Sequence, residues 1–187
     1  MAELILASAS PRRAELLRNA GIPFVVQPGE INESRGAGES PIAYARRLAA
    51  DKARIVFQKK SGDFVLGADT IVTIHDEVLE KPRSADDAVR MLRLLSGQKH
   101  LVITGICLMG PQCEDVRHET TEVFFNPFTE EDIHWYVGSG EPMDKAGGYA
   151  IQGGASRWAA RIVGCYFNVV GLPVPLVYRM LKERKLL

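Results

Sequence analysis

Two adjacent arginines stand at the beginning of a predicted helix, where their charge is unfavourable. The run LILASASPRRAELLRNAG predicts an apolar strand at residues 4–7 and a helix over residues 11–20. Arg12 and Arg13 fall in the first helical turn, where the positive end of the helix dipole disfavours each cation by ~0.3–1 kcal/mol. Free N–H groups at a helix N-terminus bind anions. A guanidinium group can donate two parallel hydrogen bonds to the oxygens of one phosphate. We therefore predict a phosphate site, which we favour over two solvated surface arginines.

Two serines stand immediately before the arginines and add hydroxyl donors for the same anion. Ser10 also suits the N-cap position of the helix, and Pro11 suits its first helical position. The pattern SxSPRR is neither a Walker loop nor a Rossmann fingerprint, so no general motif identifies the ligand. Ser8 and Ser10 are therefore predicted to bind substrate because of their place beside the arginines.

A single carboxylate interrupts the apolar run VLGADTIV. A buried carboxylate is unfavourable unless it is paired, hydrogen-bonded or bound to metal, and such positions are typical of catalytic bases and metal ligands. The alternative is that Asp69 caps a turn at the end of a strand, beside Gly67. Because Ile71 and Val72 continue the apolar run beyond it, we favour the base or metal ligand.

Two lysines and two glutamates are weaker candidates. Lys52 lies on the second predicted helix in ADKAR, and Lys81 precedes a proline in LEKPRS. Glu30 and Glu33, in the loop GEINES, are candidate metal partners. Each residue alone is typical of a solvated surface, and only its combination with the arginines and Asp69 suggests a function.

A glycine-rich segment, GGYAIQGGAS, surrounds Gln152. Glycines allow a backbone to approach a ligand closely, and the glutamine amide both donates and accepts hydrogen bonds. A plain flexible turn is the alternative, and the pattern by itself favours it.

Strand and helix signals alternate along the chain, which predicts an α/β protein. A pair of strands at residues 100–110 and 115–125 predicts a mixed sheet. The other predicted elements are a strand at 64–74, helices at 41–58, 85–96 and 130–140, a glycine-rich loop with a short strand at 146–156, a last strand at 160–173 and a last helix at 174–185.

Length and charge narrow the classes of protein. A chain of 187 residues predicts a single domain, residues 1–187, of one or two lobes. With 23 basic and 23 acidic residues the chain has no net positive charge that would attract nucleic acid. The longest apolar run, residues 162–177, contains an asparagine and two prolines, so we expect no membrane span. Three cysteines without metal-ligand spacing and an N-terminus without a basic region predict a cytoplasmic protein.

Taken together, these segments resemble the Maf family, the septum-formation-inhibitor-like nucleotide pyrophosphatases. LASASPRRAELL, RLAADKA, LGADTIV, EKPRS, LSGQ, DKAGGYAIQG and YFNVVGLP occur in the family's order at about its spacing. The resemblance implies a mixed central sheet flanked by helices, with two lobes around a cleft as in inosine-triphosphate pyrophosphatases. It also implies a cytoplasmic homodimer that hydrolyses nucleoside triphosphates to monophosphate and pyrophosphate with Mg²⁺ or Mn²⁺.

The resemblance also implies roles for individual residues. The family's proposed proton acceptor falls on Asp69, and its phosphate-binding arginines fall on Arg12 and Arg13. The family's two catalytic lysines fall on Lys52 and Lys81. Its loop acid falls on Glu33 and would bind the metal together with Asp69.

Three positions resemble the branch of the family that acts on dTTP and UTP: Arg12, Thr70 and Gln152. A glutamine offers a donor and an acceptor to the O4 and N3–H of uracil or thymine, whereas a glutamate only accepts. The alternatives are a pyrophosphatase directed at purine or 7-methyl-GTP, and a non-catalytic nucleotide-responsive regulator of septum formation. The buried Asp69 argues against the regulator, because a pure binder needs no base.

Overall fold

The structure, a computed structural model, describes residues 3–187, which contain a seven-stranded sheet and six α-helices. The strands are β1 (Leu4–Leu6), β2 (Val25–Val26), β3 (Phe64–Ile74), β4 (Glu77–Leu79), β5 (Lys99–Gly110), β6 (Cys113–Phe125) and β7 (Ala159–Val163). The helices are α1 (Pro11–Asn19), α2 (Pro41–Phe57), α3 (Ala85–Leu95), α4 (Glu130–Gly138), α5 (Tyr166–Val170) and α6 (Val174–Glu183).

The sheet is mixed, as the sequence predicts. Its strand order is β2-β1-β3-β5-β6-β7, and β4 pairs with β3. β1 runs parallel to both β2 and β3, whereas β4 is antiparallel to β3 and β7 is antiparallel to β6. Since β1 and β3 are parallel neighbours, the loop that leaves β1 and the later residues of β3 lie at the same edge of the sheet.

The described chain forms two compact units. The first contains the residues up to Thr70 together with 104–119 and 171–187; the second contains 71–103 and 120–170. In the first unit, a core that includes Ile5, Ala49, Val65 and Met109 joins α2 to the sheet.

Small residues let α2 approach the sheet closely. Ala45, Ala49 and Ala53 recur every four residues, so they share one face of the helix, and all three are fully buried. That face lies against two glycines of the sheet. A methyl group on Gly67 would collide with the carbonyl oxygen of Ala49, and one on Gly105 would collide with that of Ala45.

Replacing Gly105 by alanine is therefore expected to destabilise the protein. The added methyl group must displace helix backbone, and overpacking of this kind costs about 1–3 kcal/mol, or roughly 2–4 °C in Tm per kcal/mol. Gly138→Ala is the matched control, because apart from its own helix and its chain neighbours no described atom lies within 4 Å of a methyl group placed there. Thermal unfolding measures both variants, and a Gly105→Ala protein as stable as wild type would contradict this packing.

The second unit has an aromatic core. His100, Phe125 and Tyr149 form a cluster in which His100 Nε2 and the Tyr149 hydroxyl are hydrogen-bonded at 2.8 Å. Burial lowers the pKa of His100 to about 3, so the ring is neutral at physiological pH. Among residues 3–187, none of the helices has the length and apolar character needed to cross a bilayer.

Two predicted strands are wrong. Residues 146–156 contain no strand; short 3-10 helices at Ala146–Gly148 and Gly154–Trp158 flank a turn there. The strand predicted at 160–173 ends at Val163, because Gly164 has a φ of 121° and the chain then forms α5. Buried Asn168 fixes α5 by donating to the Val102 carbonyl and the Thr121 hydroxyl, which the apolar pattern did not indicate.

Candidate active site

The N-terminus of α1 presents polar groups that have no partner among the residues that the structure describes. Ser10 occupies the N-cap position, as predicted, but its side chain forms no capping hydrogen bond. Neither the Ser10 hydroxyl nor the half-buried Arg12 guanidinium forms a hydrogen bond or ion pair with any residue from 3 to 187. Pro11 has no N–H, and the next N–H groups are orphans of the first turn. The arrangement suits an anion at the helix end.

Arg13 has a different environment from Arg12. Its side chain is buried, with 9% of the residue exposed. Nε donates to the Gly171 carbonyl at 2.8 Å, and one terminal nitrogen donates to Ser8 Oγ at 3.0 Å and the Ala68 carbonyl at 2.8 Å. The other terminal nitrogen donates to Thr70 Oγ1 at 3.0 Å. A guanidinium has five N–H groups, so one N–H of Arg13 is left for a phosphate oxygen.

Arg13 therefore holds together segments that are distant in sequence. It ties the start of α1 to the loop after β1, to β3 and to Gly171, the residue that follows α5. Burial lowers the pKa of Arg13 from its ordinary value, while the nearby Asp69 carboxylate opposes that shift. The guanidinium stays charged, so it also places a fixed positive charge near Asp69.

The hydroxyl of Thr70 forms its hydrogen bonds with groups of the first unit. It accepts from Arg13, shares a hydrogen bond with Thr104 Oγ1 at 2.9 Å and lies 3.2 Å from the Gly171 carbonyl. These contacts make Thr70 part of the support of the site. Base selection by Thr70 stays a prediction, and its methyl group is the part of the side chain without a hydrogen-bonding role.

Two acidic side chains meet at one ammonium group. Lys52 Nζ lies 2.5 Å from Asp69 Oδ1 and 2.6 Å from Glu33 Oε1. The Lys52 and Asp69 side chains are nearly buried, whereas half of the Glu33 side chain is exposed. The structure thus brings together three of the residues that the sequence nominates, from α2, from β3 and from the loop before α2.

The two oxygens of Asp69 have different surroundings. Oδ1 contacts Lys52, whereas Oδ2 makes no hydrogen bond with residues 3–187 and is not sealed from solvent. Burial raises the pKa of Asp69 above its ordinary value, although the positive charges of Lys52 and Arg13 act in the opposite direction. A buried carboxylate with raised pKa and one open oxygen is suited to accept a proton from water.

The loop that carries Glu33 is anchored to α2. The buried Tyr44 hydroxyl donates to the Glu33 carbonyl oxygen. Arg47 donates to the Ser34 carbonyl at 2.9 Å and to both oxygens of the Glu39 carboxylate at 2.7 and 2.9 Å. That pairing lowers the pKa of Glu39 to about 2. The loop therefore remains fixed at neutral pH, where the Glu39 carboxylate is ionised.

Three predicted residues do not join these contacts. Glu30 is exposed and forms no hydrogen bond or ion pair within the described chain, in contrast to Glu33. Lys81 and Gln152 belong to the second unit, where both are exposed and their side chains bond to no residue among 3–187.

Sequence reasoning missed Tyr44, Thr104 and Gly171, which support Glu33, Thr70 and Arg13. Thr104 carried a signal, because it is a polar residue within the apolar run LVITGICLMG. Tyr44 and the Gly171 carbonyl carried none, since their roles depend on which distant segment meets them.

A helix N-terminus with anion-binding groups that have no partner among residues 3–187, beside a strand that carries a buried carboxylate, is typical of α/β proteins that bind phosphorylated ligands. The Maf-like protein family profile matches residues 3–184, and the chain belongs to this family. It is 57% identical to a dTTP/UTP pyrophosphatase of Koribacter versatilis over 96% of this chain and 93% of that protein. Proteins of the same name from Symbiobacterium thermophilum and Bacillus cereus strain B4264 are 51% and 46% identical over 98% of this chain, covering 94% and 96% of their own lengths.

Proposed function

We propose that this protein is a hydrolase that converts dTTP and UTP to the monophosphate and pyrophosphate. The observation that carries the chemistry is the Asp69 carboxylate, with one oxygen on Lys52 and the other open. The similarity to dTTP/UTP pyrophosphatases over nearly the whole chain supports the choice of substrate.

The proposed reaction is attack by water on a phosphorus of the α–β anhydride. Asp69 Oδ2 takes the proton, the new P–O bond forms, and the bond from that phosphorus to the oxygen bridging the α and β phosphates breaks, which releases the monophosphate and pyrophosphate. Lys52 contacts Oδ1 at 2.5 Å, so it orients the carboxylate and favours its ionised form. The raised pKa that burial causes increases the basicity of Asp69.

Positive groups would bind the phosphates and offset the charge that develops on the leaving pyrophosphate. Arg12 and the Ser10 hydroxyl are the free groups at the N-terminus of α1. Arg13 would add its one remaining N–H, and Ser8 acts beside it by accepting from Arg13. Lys81 would bind a phosphate oxygen, and Gln152 would pair with the pyrimidine edge.

A divalent cation, Mg²⁺ or Mn²⁺, fits the donor set formed by Asp69 and Glu33. Both carboxylates already contact the same positive nitrogen, and Mg²⁺ is commonly held by one or two carboxylates with substrate phosphates and water. Residues 3–187 contain no cluster of three or more metal-ligating side chains, so substrate oxygens would complete the coordination. When bound, the cation would neutralise phosphate charge and polarise the anhydride.

The proposal also covers the cellular compartment and the oligomeric state. Cys107, Cys113 and Cys165 are all free thiols, which supports a reducing, cytoplasmic compartment. A homodimer remains a prediction from the resemblance to the family.

The test is pyrophosphate release from dTTP, UTP, CTP, dATP, GTP, ITP and 7-methyl-GTP with Mg²⁺ or Mn²⁺. We expect dTTP and UTP to give the highest kcat/KM, because a site built to pair with a polar base edge discriminates strongly against the wrong edge. Highest activity on 7-methyl-GTP or ITP would contradict the base preference but not the reaction. Nucleotide binding without any pyrophosphate release would contradict the enzyme and favour a regulator.

A further inference from the structure

The segment that carries Gln152 is held at both ends by side chains with no assigned role. The backbone N–H of Ala150 donates to the Tyr136 hydroxyl at 2.9 Å. The N–H of Gly154 donates to Glu141 Oε2, also at 2.9 Å. Gln152 lies midway between these two anchored amides.

Within the segment, a turn fixes the backbone further. The N–H of Gly153 donates to the Ala150 carbonyl at 3.0 Å, which closes a tight turn around Ile151 and Gln152. Ile151 is buried and Gln152 is exposed. The turn therefore directs one side chain into the core and leaves the glutamine amide free for a ligand.

The two glycines after Gln152 are explained by the same contacts. A methyl group on Gly153 would collide with the Glu141 carboxylate, and one on Gly154 would lie 3.0 Å from the Tyr136 ring. These glycines allow the protein's own side chains, rather than a ligand, to approach the backbone. Tyr136 is itself fully buried, packed edge-on against Trp158 with ring centroids 5.3 Å apart.

We infer that Tyr136 and Glu141 are positioning residues for Gln152, and that they determine how well the protein discriminates between bases. A glutamine amide reads a base only if its donor and acceptor are held in register with the base edge. Two anchors on the flanking backbone restrict the segment before the nucleotide binds, which reduces the entropy lost on binding. The inference rests on the proposed function, in which Gln152 pairs with the pyrimidine.

The experiment compares kcat and KM for dTTP and GTP in Tyr136→Phe and Glu141→Ala. Tyr136→Phe keeps the ring and removes only the hydroxyl; Tyr178→Phe, at an exposed tyrosine of α6, is its control. Glu141→Gln is the control for Glu141→Ala, because its amide oxygen can still accept from Gly154. Gln152→Ala and the double variant Tyr136→Phe/Gln152→Ala complete the set.

We expect Tyr136→Phe and Glu141→Ala each to lower the dTTP-to-GTP ratio of kcat/KM by roughly 3–10-fold, the range for one lost hydrogen bond. The change should come from KM for dTTP, with kcat nearly unchanged. Tyr178→Phe and Glu141→Gln should retain the wild-type ratio. Tyr136→Phe should cause no further loss in the Gln152→Ala background, because two residues that act as one unit are not additive.

The inference would be overturned by an unchanged ratio in Tyr136→Phe and Glu141→Ala, by an equal fall in kcat for every nucleotide, or by a full additional loss in the double variant. An unchanged ratio in Gln152→Ala would also overturn it, while leaving the hydrolysis intact. If the wild type releases no pyrophosphate, the proposed function fails. In that case, Kd values for dTTP and GTP are measured by calorimetry for the same variants. The ratio of the two Kd values then replaces the ratio of kcat/KM as the test of the inference.

Discussion

Asp69→Asn is expected to lower kcat for pyrophosphate release from dTTP by roughly 10²–10⁴-fold, the usual contribution of a general base. The amide has the size and shape of the carboxylate but cannot take a proton from water. It also removes one of the two negative partners of Lys52, leaving Glu33 at 2.6 Å. The initial rate of pyrophosphate release at saturating dTTP measures the effect.

The same substitution should leave the fold intact. Burial of the Asp69 charge is itself unfavourable, as its raised pKa indicates, so a neutral isostere removes a desolvation cost together with an ion pair. Asp51→Asn is the matched control. Asp51 precedes Lys52 on α2, but its carboxylate pairs with Arg47 and Arg54 rather than with Lys52. Wild-type turnover in Asp69→Asn, or an equal loss in Asp51→Asn, would contradict the assignment of the base.

The pH profile gives an independent check on Asp69. A protonated carboxyl cannot accept a proton, so kcat must fall as the pH drops through the pKa of Asp69. Burial raises that pKa in the metal-free protein, whereas a bound cation would act in the opposite direction, so the expected result is the acid limb itself rather than its exact pH. Residual activity of Asp69→Asn should lack this acid limb.

Arg13→Met is expected to destabilise the protein by about 3–5 kcal/mol, the range for breaking a buried charged contact. The substitution fills similar space but removes the hydrogen bonds that Arg13 donates to the Ala68 and Gly171 carbonyls and to the Ser8 and Thr70 hydroxyls. It also removes a positive charge that offsets Asp69. At roughly 2–4 °C per kcal/mol, Tm should fall by at least 6 °C.

Arg12→Met is the matched control for Arg13→Met. Arg12 is adjacent, half-buried and free of partners within the described residues. Its loss should leave Tm nearly unchanged and raise KM for dTTP, since a phosphate contact is removed. Arg13→Lys separates charge from geometry, because a lysine keeps the charge but cannot span the four acceptors. Its Tm should lie well below that of wild type; equal Tm values for Arg12→Met and Arg13→Met would contradict the division of roles.

Local sequence patterns were sufficient for most of the secondary structure. The Ser10–Pro11 start of α1, the cap of α4 by Thr129 and the long apolar runs of β3 and β5 are all signals within a few residues. The strand predicted at 160–173 was wrong because its structure depends on contacts with distant residues. Its apolar composition fits either structure, and the choice of helix after Gly164 depends on the contacts of Asn168 with two other strands.

The candidate site was predictable as a set of residues but not as an arrangement. The sequence singled out Asp69 because a charge in an apolar strand needs a compensating partner. The resemblance to the family placed Lys52 and Glu33 in the same site, but not their contacts with one another, because these contacts require α2 to lie close against Gly67 and the preceding loop to be anchored through Tyr44.

The sequence by itself determined most of the strands and helices, the anomalous arginine pair and the buried acid, because propensity, capping and hydrophobic period act over short distances along the chain. The tertiary structure alone decided that Arg13 faces inward and Arg12 does not. Arg13 acquires its partners from residues as far away as Gly171, 158 positions along the chain. Two identical side chains at adjacent positions thus differ only through the segments that fold against them.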